Sequence, residues 1–362
     1  MARAVVRALG VAVAARVPTL LWGPPGTGKT SMVRAMAEEL GWPCEVVIAA
    51  IREPTDFAGL PVVFDGAEVA FAPPSWARRL ERAGHGLLFL DEITTASPAV
   101  QAALLRVVLE RTVGDLNLPS DVTIVAAANP PEQAADGWDL SAPLANRFCH
   151  LSWEVDAREV AVGLVEGFGV PTVPTLGPDW AGAAALARSH VSAFLLARPD
   201  LACVVPKDAL AAGRGWPSPR SWEMTARLLA AAELAEVDGP VRVALVVGAV
   251  GPGAGAEFAA WLTDGEFPDP DVLLADPAGW VPPRRPDRLH AVLLSIATSV
   301  AAQPTVERWL AGWVLLAAAA AAAPDIAAVA ARTLARCRPP GAPVPPEVAL
   351  FALLLREAGL GP

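Results

Sequence analysis

Gly23-Pro24-Pro25-Gly26-Thr27-Gly28-Lys29-Thr30 decides the reading of this 362-residue chain. The octet fits G-x-x-x-x-G-K-[ST]. It stands between a short apolar run at 18–22 and a segment of helical spacing at 31–40, the strand–loop–helix context that the motif requires. Its glycines let backbone N–H groups converge on phosphate oxygens, and the helix that follows presents the positive end of its dipole. Lys29 is read as reaching the β- and γ-phosphates and Thr30 as a ligand of Mg²⁺. Gly23, Pro24, Pro25, Gly26, Thr27, Gly28 and Ser31 complete a nucleotide-binding loop. A chance glycine-rich turn is the competing reading. It is disfavoured because Lys29 is one of only two lysines in the chain, the other being Lys207.

Working outward, the chain alternates between strand-like and helix-like runs. Residues 4–15 have helical spacing, 45–50 and 87–90 read as strands, 98–110 as a helix, 122–128 as a strand and 149–153 as a fifth. Strands alternating with helices imply an α/β fold with a parallel sheet covered on both faces. Leu87-Leu88-Phe89-Leu90 ends in Asp91-Glu92, about 60 residues after the loop. A carboxylate at the C-terminal edge of a parallel strand lies in the crevice where ligands bind. Asp91 is read as serving the Mg²⁺ shell and Glu92 as polarising the attacking water. An ordinary strand end before a helix N-cap is the plainer alternative, and the loop at 23–30 tips the balance. The strand at 122–128 ends in Asn129-Pro130, where an amide could hold the same water, although Asx-Pro alone is a common turn initiator.

Composition bounds what else the chain can be. Hydrophobic residues make up 54% and charged residues 18%, which excludes a disordered chain. Alanine inflates that figure with 74 residues, and the longest charge-free apolar run, 309–323, falls short of the ~20 residues a membrane span needs. The run reads as a buried helix, and no membrane span is expected. The net charge is −10, from 28 basic and 38 acidic residues, which argues against the basic face of a duplex-binding protein. Cys44, Cys149, Cys203 and Cys337 form no C-x-x-C pair, so neither a zinc site nor a disulfide framework is expected. The apolar N-terminus has no polar cleavage region and runs directly into the nucleotide motif, so a cytoplasmic protein is expected.

Six blocks in order, GPPGTGKT, LLFLDEI, SPAVQAALLRVVLER, VTIVAAANP, LSAPLANRF and WPSPRSW, resemble the AAA+ ATPases and their MoxR-like branch, which is grouped with magnesium chelatase and dynein-type modules. The resemblance covers about residues 5–234. It implies a P-loop NTPase with ATP and Mg²⁺ as cofactors, a nucleotide domain at 1–155, a helical lid at 156–235 and a helical extension at 236–362. It implies that Asn129 is the sensor 1 residue, that Arg147 is an arginine finger donated to the neighbouring subunit, and that Arg220 is the sensor 2 arginine of the lid. Thr94 and Asn146 stand where the family often has Asn and Asp. The resemblance further implies a ring, with six subunits as the expected size, and chaperone-like remodelling or activation of a partner protein, often one bearing a von Willebrand factor A domain. A nucleic-acid motor or restriction-type NTPase on the same fold is the alternative. The acidic total counts against it, and no nucleic acid is expected as a partner.

Two inserts complete the reading. Residues 62–71 carry apolar arms around Asp65-Gly66, a hairpin signal. Residues 111–121 match the position of a second inserted hairpin in the resembling family, where such hairpins face a central pore. An ordinary surface hairpin is the plainer reading. Trp261, Trp280, Trp309 and Trp313 in the last block read as buried structural aromatics.

Overall fold

The computed structural model describes residues 2–64, 66, 68–130, 138–265 and 267–360; Asp65 of the expected Asp-Gly turn lies outside them. In chain order the elements are α1 (Ala2–Ala14), β1 (Thr19–Trp22), α2 (Lys29–Glu39), β2 (Cys44–Ile48), α3 (Thr55–Ala58), β3 (Leu60–Phe64) and β4 (Glu68–Ala72). Next come α4 (Ser75–Ala83), β5 (His85–Asp91), α5 (Pro98–Glu110), β6 (Thr112–Val113), β7 (Leu116–Asn117), β8 (Asp121–Ala128), α6 (Ala142–Ala145), β9 (Cys149–Ser152) and α7 (Ala157–Glu166). The remainder is helical: α8 (Trp180–Ala197), α9 (Ala209–Ala212), α10 (Pro219–Leu234), α11 (Gly239–Val250), α12 (Pro252–Thr263), α13 (Pro270–Ala275), α14 (Pro286–Ala302), α15 (Val306–Ala320), α16 (Pro324–Arg336) and α17 (Ala352–Glu357).

The first compact unit comprises Met1–Leu176 and Cys203–Ala256. Its centre is a five-stranded sheet in the order β2-β5-β8-β1-β9, with every pair parallel. All four residues of β1 and seven of the eight in β8 are buried, as expected for strands covered on both faces. This is the α/β P-loop NTPase fold expected from the sequence. Leu20, Leu88, Leu90 and Ile124 of the sheet pack with Leu104 and Val107 of α5 into one core. The strand order has one consequence for the site. Because β8 lies between β1 and β5, the residue that follows it, Asn129, emerges between the loop after β1 and the carboxylates after β5.

Two small hairpins hang from this unit. β3 pairs antiparallel with β4, Val63 opposite Val69, and β6 pairs with β7. The second touches the first: Phe71 donates its backbone N–H to Asp115 Oδ2 at 2.6 Å, and the Asp115 N–H donates to the Phe71 carbonyl at 3.0 Å. Gly114, with φ 60°, lies so close to the Phe71 backbone that a Cβ would collide with it.

The second unit comprises Gly177–Ala202 and Glu257–Pro362. Here α14 packs against α8 and α16, and α15 against α16. Leu289, Ile296, Trp313, Leu316 and Leu334 fill the core, and Trp309 donates its indole N–H to the Leu334 carbonyl at 2.9 Å. Trp309 and Trp313 are fully buried, and the stretch 309–323 is helical only to Ala320.

The expected boundaries at 155/156 and 235/236 do not coincide with these units. Helix α8, assigned by sequence order to a lid, packs on α14 and so belongs to the second unit. Helices α10 and α11 belong to the sheet-bearing unit. Arg227 of α10 donates to the Ala15 carbonyl at 2.7 Å, and α11 packs on α1 and β9 through Gly248, where a Cβ would come within 2.5 Å of the His150 carbonyl oxygen. Among the described residues no helix is long and apolar enough to cross a membrane, and all four cysteines are free thiols.

Candidate nucleotide site

The loop 23–28 leaves β1 and enters α2 through two left-handed glycines, Gly26 at φ 75° and Gly28 at φ 84°. Nothing lies within 4 Å of where their Cβ atoms would stand, so conformation rather than crowding requires glycine there. Gly23 is different, because its Cβ would come within 2.5 Å of the Trp153 carbonyl oxygen. Trp153 also donates its indole N–H to the Thr27 carbonyl at 3.1 Å, so the residue after β9 braces both ends of the loop.

Lys29 opens α2 and is 7% exposed. Its Nζ donates to the carbonyls of Gly23 at 2.6 Å and Pro24 at 2.7 Å. Burial pulls its pKa below the usual lysine value, and the nearby charges of Asp91 and Glu92 oppose that shift. Thr30 Oγ1 donates to Asp91 Oδ2 at 2.8 Å, while Asp91 Oδ1 accepts the Glu92 backbone N–H at 3.0 Å. Glu92 itself adopts φ 55°, a left-handed conformation that costs a non-glycine residue about 1 kcal/mol or more and tends to mark functional sites. Its carbonyl accepts the Thr95 hydroxyl at 2.8 Å, which helps hold the turn, and its side chain is exposed.

Asn129 lies with Trp22, Thr94, Trp138 and Arg214 around a small cavity. Thr94 is 4% exposed and its hydroxyl has no partner, while its carbonyl accepts the Trp138 N–H at 2.7 Å. The guanidinium carbon of Arg214 sits 3.6 Å from the centre of the Trp22 ring. On its other side Trp22 donates its indole N–H to His150 Nδ1 at 2.8 Å, and His150 Nε2 pairs with the Ala145 carbonyl at 2.8 Å. With Nδ1 accepting, Nε2 carries the proton and the ring is neutral, in keeping with a pKa that burial lowers to about 4.

Arg147 and Arg220 form a separate group. Arg147 is 9% exposed, and its Nη1 donates to the Pro143 carbonyl while Nε has no partner. Burial, and then the charge of Arg220, lower its pKa. Arg220 is exposed in the first turn of α10. Asn146 fixes this arrangement: it is 2% exposed, its Nδ2 donates to the Trp216 carbonyl at 2.9 Å, and its Oδ1 accepts the Ser218 hydroxyl at 2.6 Å. Ser218 and Ser221 form a capping box that starts α10.

The structure therefore brings Lys29, Thr30, Asp91 and Glu92 together and places Arg147 beside Arg220. Sequence reasoning did not find Arg214, Trp22, Trp138 or His150. Trp22, adjoining Gly23, carried a positional signal, whereas Arg214 and His150 meet it only through the fold.

The match of residues 18–148 to the AAA domain of the dynein-related subfamily decides the kinship. Residues 18–148 are thus the part of the chain that matches an AAA domain. The expected kinship with MoxR-like AAA+ ATPases is borne out: Protein MoxR of Methylorubrum extorquens is 34% identical over 113 residues, covering 31% of this chain and 32% of the relative. The Holliday junction branch migration complex subunit RuvB of Prochlorococcus marinus is 40% identical over 95 residues, 24% of this chain and 26% of the relative. The chain spans about a fifth to a third of the curated relatives that it matches. A crystal structure from Cytophaga hutchinsonii, described as that of a candidate ATPase, superposes with TM-score 0.47 at 17% identity, over 71% of this chain and 88% of that one.

The residues of the AAA domain fit a nucleotide with its cation. A hydroxyl and a carboxylate oxygen 2.8 Å apart are hard donors suited to Mg²⁺, and the open loop with a buried ammonium beside it suits phosphate.

Proposed function

We propose that the AAA domain hydrolyses ATP in the presence of Mg²⁺, within a ring in which one subunit serves its neighbour, and that the energy remodels or activates a partner protein. The Thr30–Asp91 contact carries the reading, because it joins the glycine-rich loop to the acidic strand end within one crevice. Thr30 and Asp91 would hold Mg²⁺, which neutralises phosphate charge. Lys29 exchanges its bonds to the Gly23 and Pro24 carbonyls for phosphate oxygens and places its charge where negative charge develops. Glu92, exposed and turned out of the strand by its left-handed backbone, accepts the proton of the attacking water. Asn129, emerging between the loop and Asp91, orients that water. Arg147 leaves the Pro143 carbonyl to reach a neighbouring subunit's γ-phosphate, where a fork of N–H donors stabilises the transferring group. Arg220 closes over the nucleotide from α10.

A protein is the favoured partner class, and one bearing a von Willebrand factor A domain is the first to test. The β3–β4 hairpin exposes Leu60, Val63 and Val69, and residues 60–72 carry no basic side chain. Such a surface suits a polypeptide and gives a phosphate backbone no cation to neutralise. The similarity to RuvB is confined to about a quarter of each chain.

Steady-state hydrolysis and nucleotide binding by two variants test the reading. Lys29→Ala is expected to lose binding, and Glu92→Gln to retain ATP while losing turnover. Wild-type turnover by Glu92→Gln would remove Glu92 as the base. Hydrolysis stimulated by DNA at physiological salt would favour a nucleic-acid motor.

A further inference from the structure

A sizeable cavity lies within the second unit. It encloses about 830 Å³ between the C-terminal turn of α8, the α12 segment, and the first turns of α14 and α16. That volume is in the range of small-molecule sites. Phe194, Trp261, Ile326 and Val329 supply apolar wall.

Two buried polar groups in the lining lack partners. Arg288 is 7% exposed and its Nη1 has no hydrogen-bond partner; His290 is 5% exposed and its Nε2 has none. Arg288 is held by rings rather than by a carboxylate. Its guanidinium carbon lies 4.5 Å from the Trp261 ring centre and 4.8 Å from that of Phe267, and a Cβ at Gly265 would collide with Nη1. The neighbouring acids are engaged elsewhere. Asp287 accepts from Arg285 at 2.7 and 3.2 Å and from the Trp261 indole at 2.8 Å, and Glu257 pairs with Arg198. Asp264 and Asp325 also line the cavity but are exposed, where water screens them. Neither α14 nor α16 has a side-chain N-cap, and the first turns of both face the cavity. Burial and the adjacent Arg285 pull the Arg288 pKa below its usual value, against the opposing charges of Asp287 and Asp264.

We infer that this cavity binds a small organic carboxylate with an apolar body, the carboxylate taken by Arg288 and His290 and the body lying against Trp261 and Ile326. A buried guanidinium with an Nη1 that makes no hydrogen bond is an incomplete arrangement, because the desolvation of that group is not repaid. A phosphate would need more donors than Arg288 and His290 supply. The apolar wall asks for a hydrocarbon or aromatic body rather than a sugar.

Calorimetric titration of the full chain with octanoate, and with 1-octanol as the uncharged counterpart, tests the site. Octanoate is expected to bind about tenfold or more tighter than octanol, the factor that a charge-assisted hydrogen bond supplies. Arg288→Gln is expected to abolish the difference. Because that variant removes a buried group and can unfold, Val329→Trp is the second: position 329 is 44% exposed, and the indole fills the cavity without disturbing the core. It is expected to weaken octanoate at least tenfold while ATP hydrolysis stays unchanged. Absence of octanoate binding, equal affinity for octanoate and octanol, or undiminished binding by folded Val329→Trp would overturn the proposal.

Discussion

Thr30 Oγ1 stands 2.8 Å from Asp91 Oδ2, although β1 and β5 are not neighbours in the sheet. Helix α2 carries Thr30 across the end of β8, and the pair forms a direct side-chain bond between the loop and the acidic strand end. Replacing Thr30 with Val, or Asp91 with Asn, removes a hard oxygen or its charge. Titration with a fluorescent ATP analogue, with Mg²⁺ and then with a chelator, is expected to show a Mg²⁺-dependent gain in affinity that is at least tenfold smaller in either variant. That corresponds to about 1.4 kcal/mol. The same Mg²⁺ gain in all three proteins would dissociate the pair from the cation.

Arg147 offers a test of assembly. If it serves a neighbouring subunit, Arg147→Ala binds ATP nearly normally and hydrolyses slowly, and mixing it with Lys29→Ala restores part of the rate. One variant brings the finger and the other an intact pocket. Turnover should also rise more than linearly with protein concentration. Full hydrolysis by a species shown to be monomeric in sedimentation would end the ring reading.

Asn146→Ala removes one of two partners from the Trp216 carbonyl and one from the Ser218 hydroxyl in a nearly water-free setting. Ser221 still bonds both groups, so the expected loss of stability is about 1–2 kcal/mol, from two lost hydrogen bonds. Urea unfolding followed by tryptophan fluorescence measures it. Asn146→Asp keeps the acceptor but turns a charge toward a carbonyl, and is expected to destabilise as well.

His150 sets part of the acid limit. Its pKa in the fold, about 4, lies below the ordinary 6.5, so between those values the unfolded chain binds the proton that the folded chain refuses. Stability is therefore unaffected by this group above about pH 6.5, falls as the pH drops toward 4, and levels off below. The full change is roughly 3 kcal/mol at 1.36 kcal/mol per pKa unit. His150→Gln should flatten that part of the curve in denaturant midpoints taken from pH 7 to pH 4. An unchanged slope would assign the acid sensitivity elsewhere, for instance to His190, whose pKa burial also lowers to about 4.

Val63 and Val69 face each other across the first hairpin and are 66% and 51% exposed. Changing both to Ser removes little buried surface, so unfolding and basal hydrolysis should stay within about 0.5 kcal/mol and twofold of wild type. Stimulation by a partner protein is expected to fall. If stimulation is untouched, partner recognition lies elsewhere on the molecule.

The sheet was legible because its central strands β1, β5 and β8 are buried apolar runs, and the loop because Gly26, Gly28 and Lys29 are chemically irreplaceable there. Asp91 and Glu92 were legible from their place at a strand end. What escaped was anything joined across long sequence separations by a single contact. Trp22 and His150 are 128 residues apart, and Asn146 reads as a departure from a pattern until the Trp216 carbonyl is seen against it. The unit boundary was hidden for a similar reason. Helix α8 has a mixed face whose natural partner, α14, lies about a hundred residues downstream, and helical periodicity alone names no partner.

Asp115 holds the Phe71 backbone at two points, its carboxylate accepting the Phe71 N–H and its own N–H donating to the Phe71 carbonyl. The two hairpins are thereby fused into one mechanical piece, despite belonging to segments that the chain presents 44 residues apart. Excising either arm would strip the other of its brace, so a phenotype obtained by loop deletion belongs to the pair. Attribution to a single arm needs substitutions at its tip that leave the clasp at residues 71 and 115 intact.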